Sequence, residues 1–264
     1  MKKYKGAVFF DIDGTLIDER IGVSAPTEST KNAISLLRKN GYFVGVATGR
    51  AKCYMCDLGI DFDCYVTCNG AVVEIGGAVV YTDYMDEKRQ REMIAYLGEN
   101  DFGYAFETFD KCYYGEKTKQ EFFSMMEQSK LNTEHFFKLS ESDSLRFCKA
   151  MITFKKKEQF DRLRENFQDD FIITQHHNAP EADINLIGVT QATGVKKALE
   201  LANIEAENAY AFGDGENDIE LFSTVGCGVA MTPHSPKLSS YAKKICGGVA
   251  DGGISKALCE LGLI

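Results

Sequence analysis

The sequence has no dense cluster of basic residues and no apolar run of membrane length. Lys and Arg number 30 against 39 Asp and Glu in 264 residues, a formal net charge of −9. Nucleic-acid backbones require a cationic surface, and a membrane span requires roughly 20 consecutive apolar residues. The sequence therefore predicts no nucleic-acid partner and no membrane partner.

The first residues also lack the apolar stretch and the small-residue cleavage site of a secretory signal. We therefore expect a cytoplasmic protein whose nine cysteines are free thiols. Cys53 and Cys56 form a C-x-x-C pattern, but the irregular spacing of the later cysteines argues against a zinc site. A monomer and a homodimer are both compatible with the sequence.

Buried-strand patterns alternate with helical patterns in the first third of the chain. The apolar runs at 6–11, 42–47 and 64–68 each indicate a strand that is buried on both faces. We predict one helix between the first and second strands and another between the second and third, followed by a hairpin at Gly76-Gly77. This alternation predicts a doubly wound α/β fold with a mainly parallel sheet.

The pattern changes after residue 83, and no predicted strand within 84–187 is followed by an acidic or Thr-Gly loop. We expect an inserted α+β domain at 84–187 and a core made of 1–83 and 188–264. The predicted elements of the insertion are helices at 86–99, 117–128 and 157–167 and strands at 103–107, 112–114, 150–154 and 171–175. In the last segment of the core we predict helices at 193–202 and 254–261, a strand at 209–212 and a last strand at 226–230.

Four polar loops directly follow buried strands: Asp11–Thr15, Thr48–Arg50, Asn69–Gly70 and Gly213–Asp218. Ligands of open α/β sheets bind at the carboxyl ends of the strands, so we expect these loops to meet at one edge. Clustered carboxylates repel one another unless a cation lies among them, and Mg²⁺ prefers oxygen ligands. A hydroxyl and free backbone N–H groups suit a phosphate dianion. Together these groups indicate phosphoryl transfer.

The motifs resemble those of a known superfamily. Asp11-Ile-Asp-Gly-Thr-Leu16 resembles the first motif of the haloacid dehalogenase superfamily, Thr48-Gly-Arg50 the second, and Gly213-Asp-Gly-Glu-Asn-Asp218 the fourth. The surrounding sequence is similar to the Cof-type subfamily, sugar-phosphatase-like enzymes whose type IIB cap is inserted after the third strand. The resemblance implies a Rossmann-like core and a Mg²⁺-dependent phosphoric monoester hydrolase. Its substrate would be a small phosphorylated metabolite, either a sugar phosphate or a cofactor phosphate.

The resemblance also implies residue roles. Asp11 would attack phosphorus and become an aspartyl-phosphate, while Asp13 would act as general acid and then as general base. The carboxylates of Asp11 and Asp214 and the backbone carbonyl of Asp13 would hold Mg²⁺. Thr48 and the backbone N–H of Gly49 would bind the phosphoryl oxygens.

Other positions keep two interpretations. Asn217 and Asp218 would bind phosphate or support the metal, although Asp218 is also suited to capping a helix. Asn69-Gly70 is suited to a simple turn. The third motif of the superfamily is a lysine, and the matching position is Gln191, which can donate a hydrogen bond but carries no charge. Lys196 is the candidate for partial compensation, and its alternative is a solvated helix face.

An inserted domain next to an open sheet edge suggests a lid, because water weakens the charge interactions of a phosphate site. Contacts to the leaving group are expected from His176, His177, Asn178 and Asp183, with a structural or surface role as the alternative for the histidines. Two other functions stay open. One is a phosphomutase on the same scaffold. The other is a catalytically weak phosphate-binding or sensing protein, which the uncharged Gln191 favours.

Overall fold

The structure is a computed structural model that describes residues 3–116, 118, 120–128, 132–140, 143, 146–176 and 179–264. The chain divides into two compact units. The core unit holds residues up to Gly49, Asp57–Tyr81 and Thr190–Ile264, and the inserted unit holds Arg50–Cys56 and Thr82–Val189. The sequence division did not anticipate that the short segment 50–56 packs with the inserted unit.

Fourteen strands and seven α-helices lie within the described residues. The strands are β1 Ala7–Phe10, β2 Phe43–Ala47, β3 Cys64–Thr67, β4 Val72–Ile75, β5 Ala78–Thr82, β6 Gly103–Glu107, β7 Cys112–Tyr114, β8 Phe136–Lys138, β9 Lys149–Thr153, β10 Phe171–Gln175, β11 Glu181–Leu186, β12 Ala209–Gly213, β13 Cys227–Ala230 and β14 Lys244–Ile245. The helices are α1 Glu28–Lys39, α2 Glu87–Glu99, α3 Gln120–Gln128, α4 Lys157–Phe167, α5 Gln191–Ala202, α6 Ile219–Thr224 and α7 Gly253–Glu260. None of these helices has both the length and the apolar character that crossing a membrane requires.

The sheet of the core unit has the strand order β14-β13-β12-β1-β2-β3-β4-β5. Its pairs are parallel from β14 to β3, and β4 is antiparallel to β3. Every residue of β1 is buried, as expected for a central strand covered on both faces. The chain runs outwards from β1 to β2 and β3, and later to β12, β13 and β14 on the other side. This order confirms the predicted doubly wound α/β fold.

The helices of the core unit bury apolar stripes against the sheet. Helix α1 begins after Thr27, whose Oγ1 accepts a hydrogen bond from the N–H of Thr30 at 3.3 Å. Helix α5 places Val195 and Ala198 in a hydrophobic cluster with Phe9 of β1. This packing fixes the start of α5 relative to the strand ends.

Three details differ from the sequence predictions. The predicted helix between β2 and β3 is wrong, because this connection contains a single 3₁₀ turn at Lys52–Tyr54. A turn forms in this connection instead of a helix. The side chain of Asp57 accepts a hydrogen bond from the N–H of Gly59, which has φ +61°. Strand β13 is also not the last strand, since the two-residue strand β14 follows it. Strands β8 and β11 of the inserted unit were not predicted.

The inserted unit contains a second sheet of order β10-β11-β9-β6-β7-β8, antiparallel except for the parallel pair β7–β8. One face is apolar, with Phe106, Ile152 and Ile184 in a cluster with residues of α2 and α4. The opposite face carries charge, because Glu107 pairs in register with Lys149, and side chains alternate along each strand.

Gly70 gives a test of how the core unit positions α5. It has φ +98°, and a Cβ there would lie 1.9 Å from the carbonyl oxygen of Thr190, the residue before α5. We expect Gly70→Ala to destabilise the protein by more than the roughly 1–2 kcal/mol of left-handed backbone strain alone. Urea denaturation would measure the loss. Gly76→Ala is the matched control, since Gly76 has φ +59° and open space around it. Equal losses in both variants would contradict the close approach.

Candidate active site

Three parallel strands end at the same edge of the core sheet, and each is followed by a polar residue. Asp11 follows β1, Thr48 follows β2 and Asp214 follows β12. Strand β1 lies between β2 and β12, and the N–H of Asp11 donates to the carbonyl oxygen of Phe212 at 2.9 Å. The fold therefore brings motifs from both ends of the chain together.

Three carboxylates meet at this edge. Asp11, Asp214 and Asp218 each offer one oxygen, and these oxygens all lie within 4.8 Å of one another. Burial, followed by repulsion from Asp218, Asp13 and Asp214, raises the pKa of Asp11 well above its usual range. Burial also raises the pKa of Asp218 to about 7 and that of Asp214 to about 6. Burial of the cluster therefore favours the protonated, uncharged form of these carboxyl groups.

The two carboxylate oxygens of Asp218 have different surroundings. Its Oδ2 accepts hydrogen bonds from the backbone N–H groups of Asp214 and Gly215, each at 2.9 Å, and so shapes the loop after β12. Its Oδ1 is buried and has no hydrogen-bond partner among the described residues. A buried carboxylate oxygen without a donor is suited to a cation. Oxygen ligands and uncompensated negative charge together fit a hard divalent ion.

Gly14 allows the first and fourth motifs to approach each other. It has φ +77°, and a Cβ at this position would lie 2.1 Å from Oδ2 of Asp214. Any side chain here would therefore displace the Asp214 carboxylate. The glycine of the first motif has a steric reason as well as a conformational one.

Arg20 is a residue of this edge that sequence reasoning missed. Its Nε donates to Oδ1 of Asp18 at 2.8 Å, and its Nη2 donates to Oδ2 of Asp18 at 3.0 Å. Nη2 also lies 3.5 Å from Oδ2 of Asp214. One signal was available, since Arg20 is the only basic residue between Gly6 and Lys31.

The remaining predicted phosphate and acid–base residues take varied positions. Thr48 is buried, Asn217 and Asp13 are exposed, and the side chain of Asp13 lies outside the carboxylate triad. The turn at Asn69-Gly70 supports the turn interpretation, because Asn69 has φ +55° and its N–H donates to the carbonyl oxygen of Thr48 at 3.1 Å. The catalytic and phosphate-binding roles stay predictions.

Gln191 is the first residue of α5 and is fully buried. Neither its Oε1 nor its Nε2 has a hydrogen-bond partner among the described residues. Lys196 is exposed, and its position five residues later turns it about 140° around the helix. The expected roles of both side chains stay predictions.

Two of the four leaving-group candidates can be described. His176 Nε2 lies 3.4 Å from Oδ2 of Asp183, and Lys149 Nζ lies 3.1 Å from the same oxygen. His177 and Asn178 lie outside the described residues. His176 and Asp183 therefore belong to an ion cluster of the inserted unit, and their predicted contact with substrate stays untested.

Comparison with known proteins identifies the class. A model of the haloacid dehalogenase-like hydrolase family matches residues 8–258, so the chain belongs to this family. A Bacillus subtilis (strain 168) protein named "Putative phosphatase YkrA" is 28% identical over 97% of this chain and 98% of its own length.

Solved structures agree with the family assignment. A hypothetical protein from Geobacillus kaustophilus HTA426 is 29% identical, with a TM-score of 0.85 over 98% of this chain and 99% of that chain. The subclass IIB sugar phosphatase BT4131 is 24% identical, with a TM-score of 0.82 over 98% of this chain and 100% of that chain, and shares the fold. The predicted superfamily, Cof-type resemblance and enzyme class, a phosphoric monoester hydrolase, are confirmed.

The raised carboxyl pKa values predict how stability depends on pH. Asp214 and Asp218 retain protons in the folded state at pH values where the unfolded chain has lost them. Their contribution to the free energy of unfolding is therefore fully present below about pH 4 and is lost as the pH rises to about 7. We expect Asp218→Asn to lose less stability than wild type between about pH 5 and 7.5, measured by urea denaturation in EDTA.

The control for this measurement is Asp61→Asn, since Asp61 is exposed in the same unit. It should keep the wild-type pH dependence. We also expect Mg²⁺ to raise the Tm of wild type more at about pH 7.5 than at about pH 5, because protons compete for the same oxygens. A pH dependence of Asp218→Asn equal to that of wild type would contradict the assigned pKa.

Proposed function

We propose that this protein is a Mg²⁺-dependent phosphatase that hydrolyses a small phosphorylated metabolite through an aspartyl-phosphate on Asp11. The observation that carries the proposal is the meeting of three carboxylate oxygens within 4.8 Å at the carboxyl ends of adjacent strands. Carboxylates that raise one another's pKa are costly to stability and are typical of functional sites.

The carboxylates of Asp11, Asp214 and Asp218 and the backbone carbonyl of Asp13 would hold Mg²⁺. When bound, the ion would compensate their negative charge and polarise a phosphoryl oxygen. Burial and the neighbouring aspartates raise the pKa of Asp11. With the ion bound, Asp11 would be ionised at neutral pH and able to act as a nucleophile.

The reaction proceeds in two steps on this chain's own residues. An oxygen of Asp11 forms a bond to phosphorus as the P–O ester bond of the substrate breaks. Asp13 gives its proton to the departing oxygen, which leaves as an alcohol. Asp13 then takes a proton from water, whose oxygen bonds to the phosphorus of the aspartyl-phosphate as the bond from phosphorus to Asp11 breaks. This step releases inorganic phosphate and restores the Asp11 carboxylate. One exposed carboxyl can serve both steps because they require opposite protonation states.

The phosphoryl oxygens would be bound by the Thr48 hydroxyl, the N–H of Gly49, Asn217 and the amide of Gln191, with Lys196 as a further cation. The loss of one preorganised donor costs roughly 3–4 kcal/mol, or 10²–10³ in rate. Enzymes that hydrolyse phosphomonoesters lower the activation free energy by up to about 28 kcal/mol. An uncharged Gln191 would therefore slow the reaction without removing its mechanism.

A sugar phosphate or a cofactor phosphate is the proposed substrate class. The inserted unit would act as the lid, and His176, His177, Asn178 and Asp183 would read the leaving group. We further propose a cytoplasmic protein that acts as a monomer or a homodimer. The name of BT4131, a sugar phosphatase of similar fold, is compatible with this class.

The nucleophile is tested with Asp11→Asn. We expect wild type to release phosphate from p-nitrophenyl phosphate only with Mg²⁺, and Asp11→Asn to show no measurable release, because an amide oxygen is a poor nucleophile. Acid quenching during turnover should trap phosphate on the peptide that contains Asp11. Asp61→Asn, an exposed aspartate of the same unit, should retain wild-type kcat/KM.

A panel of phosphorylated metabolites, assayed for phosphate release, would identify the substrate. Turnover that depends on an added diphosphorylated primer would favour a phosphomutase. Binding of phosphate or vanadate without turnover of any ester would favour a sensing protein. A phosphate adduct on a residue other than Asp11 would reject the proposed nucleophile.

A further inference from the structure

The carboxyl-terminal edge of the core sheet carries an excess of acidic side chains, and an anionic phosphate substrate would add further negative charge there. Five aspartates lie on the loops that meet there: Asp11, Asp13, Asp18, Asp214 and Asp218. A phosphate monoester arrives as an anion, and the divalent ion must already compensate the triad. Gln191 contributes no charge. A fixed positive side chain near the triad would therefore have a large electrostatic effect on binding.

Arg20 is held beside the triad by a rigid partner. The Asp18 carboxylate is buried and accepts from Nε and Nη2 of Arg20 in a two-pronged arrangement. The backbone around this pair is closed by hydrogen bonds, since Asp18 and Val23 exchange both of theirs and Gly22 turns the chain at φ +79°. The guanidinium is therefore positioned before any ligand binds.

The guanidinium also keeps donors available. Among the described residues, Nη1 of Arg20 has no hydrogen-bond partner, and the side chain is 62% exposed. The contact from Nη2 to Asp214 is 3.5 Å, at the long limit of a hydrogen bond. Two N–H groups of Nη1 thus remain free to bind an anion next to a triad carboxylate.

We propose that Arg20 binds a non-bridging oxygen of the substrate's phosphoryl group and supplies the positive charge that Gln191 lacks. The planar guanidinium suits this role, because it is always charged and presents parallel N–H donors to phosphate oxygens. This inference rests on the proposed phosphatase function. It adds a residue from the loop after β1 to the binding site.

The test compares Arg20→Gln and Arg20→Lys with wild type at saturating Mg²⁺. We expect Arg20→Gln to lower kcat/KM for p-nitrophenyl phosphate on the order of 10²-fold and to raise the inhibition constant of inorganic phosphate about tenfold. The kcat/KM and the phosphate inhibition constant of Arg20→Lys should lie between those of wild type and Arg20→Gln, since lysine keeps the charge but lacks the planar guanidinium donors. Lys31→Gln is the control, because Lys31 pairs with Glu28 on the surface of α1.

A merely structural role makes a different prediction. If Arg20 only balances the charge of Asp214, Arg20→Gln would change the Kd of Mg²⁺ in calorimetry and leave the phosphate inhibition constant unchanged, which overturns the proposal. A rise in that constant in Lys196→Ala but not in Arg20→Gln would assign the charge to Lys196 and overturn it as well. If Arg20→Gln does not fold, the double variant Asp18→Asn/Arg20→Gln is used in the same assays, because it removes both partners of the ion pair.

Failure of the phosphatase function would be visible separately. Calorimetric binding of inorganic phosphate to wild type and to Arg20→Gln requires no turnover. A Kd for phosphate that is tenfold higher in the variant supports the role of Arg20 even if no ester is hydrolysed. Equal Kd values reject it even if the enzyme is active.

Discussion

Mutual repulsion among Asp11, Asp214 and Asp218 is the constraint on which the site depends. Like charges this close are stable only if the backbone holds them and if protons or a cation compensate them. The parallel neighbours β1 and β12 supply the rigidity, because the hydrogen bonds between them fix the positions of the strand ends that Asp11 and Asp214 follow. The cost of this arrangement appears in the raised carboxyl pKa values.

The loops around the triad are shaped by the same constraint. Gly14 leaves room for the Asp214 carboxylate, and the backbone N–H groups of Asp214 and Gly215 hold one oxygen of Asp218. The other oxygen of Asp218 is left without a donor. Arg20 brings a positive charge to the rim, where Asp18 orients it. Chemistry and packing are thus not separable here, since each contact that fixes a loop also sets the charge of the site.

Much of the fold was predictable, because the pattern of apolar residues along a short segment indicates which of its side chains are buried. The runs that became β1 and β2 are apolar throughout, and the glycine pair between β4 and β5 has the positive φ angles of a tight hairpin. The connection between β2 and β3, which contains the segment 50–56, was mispredicted as helical. Its side chains are committed to long-range contacts within the inserted unit, where the Tyr54 hydroxyl donates to Glu107 at 3.0 Å. Local pattern cannot reveal such a partner.

The sequence by itself determined the fold class, the family and the acidic loops at the strand ends, because these depend on short motifs and on the rule that parallel strands end together. Only the tertiary structure decided that Asp218 belongs to the triad, that Gln191 is buried without a hydrogen-bond partner among the described residues, and that Arg20 reaches Asp214. The physical reason is that the burial of Gln191, and the approach of Asp11 and Arg20 to the loop after β12, depend on segments distant in sequence. Their geometry follows from strand register and the close approach at Gly14, which no local spacing encodes.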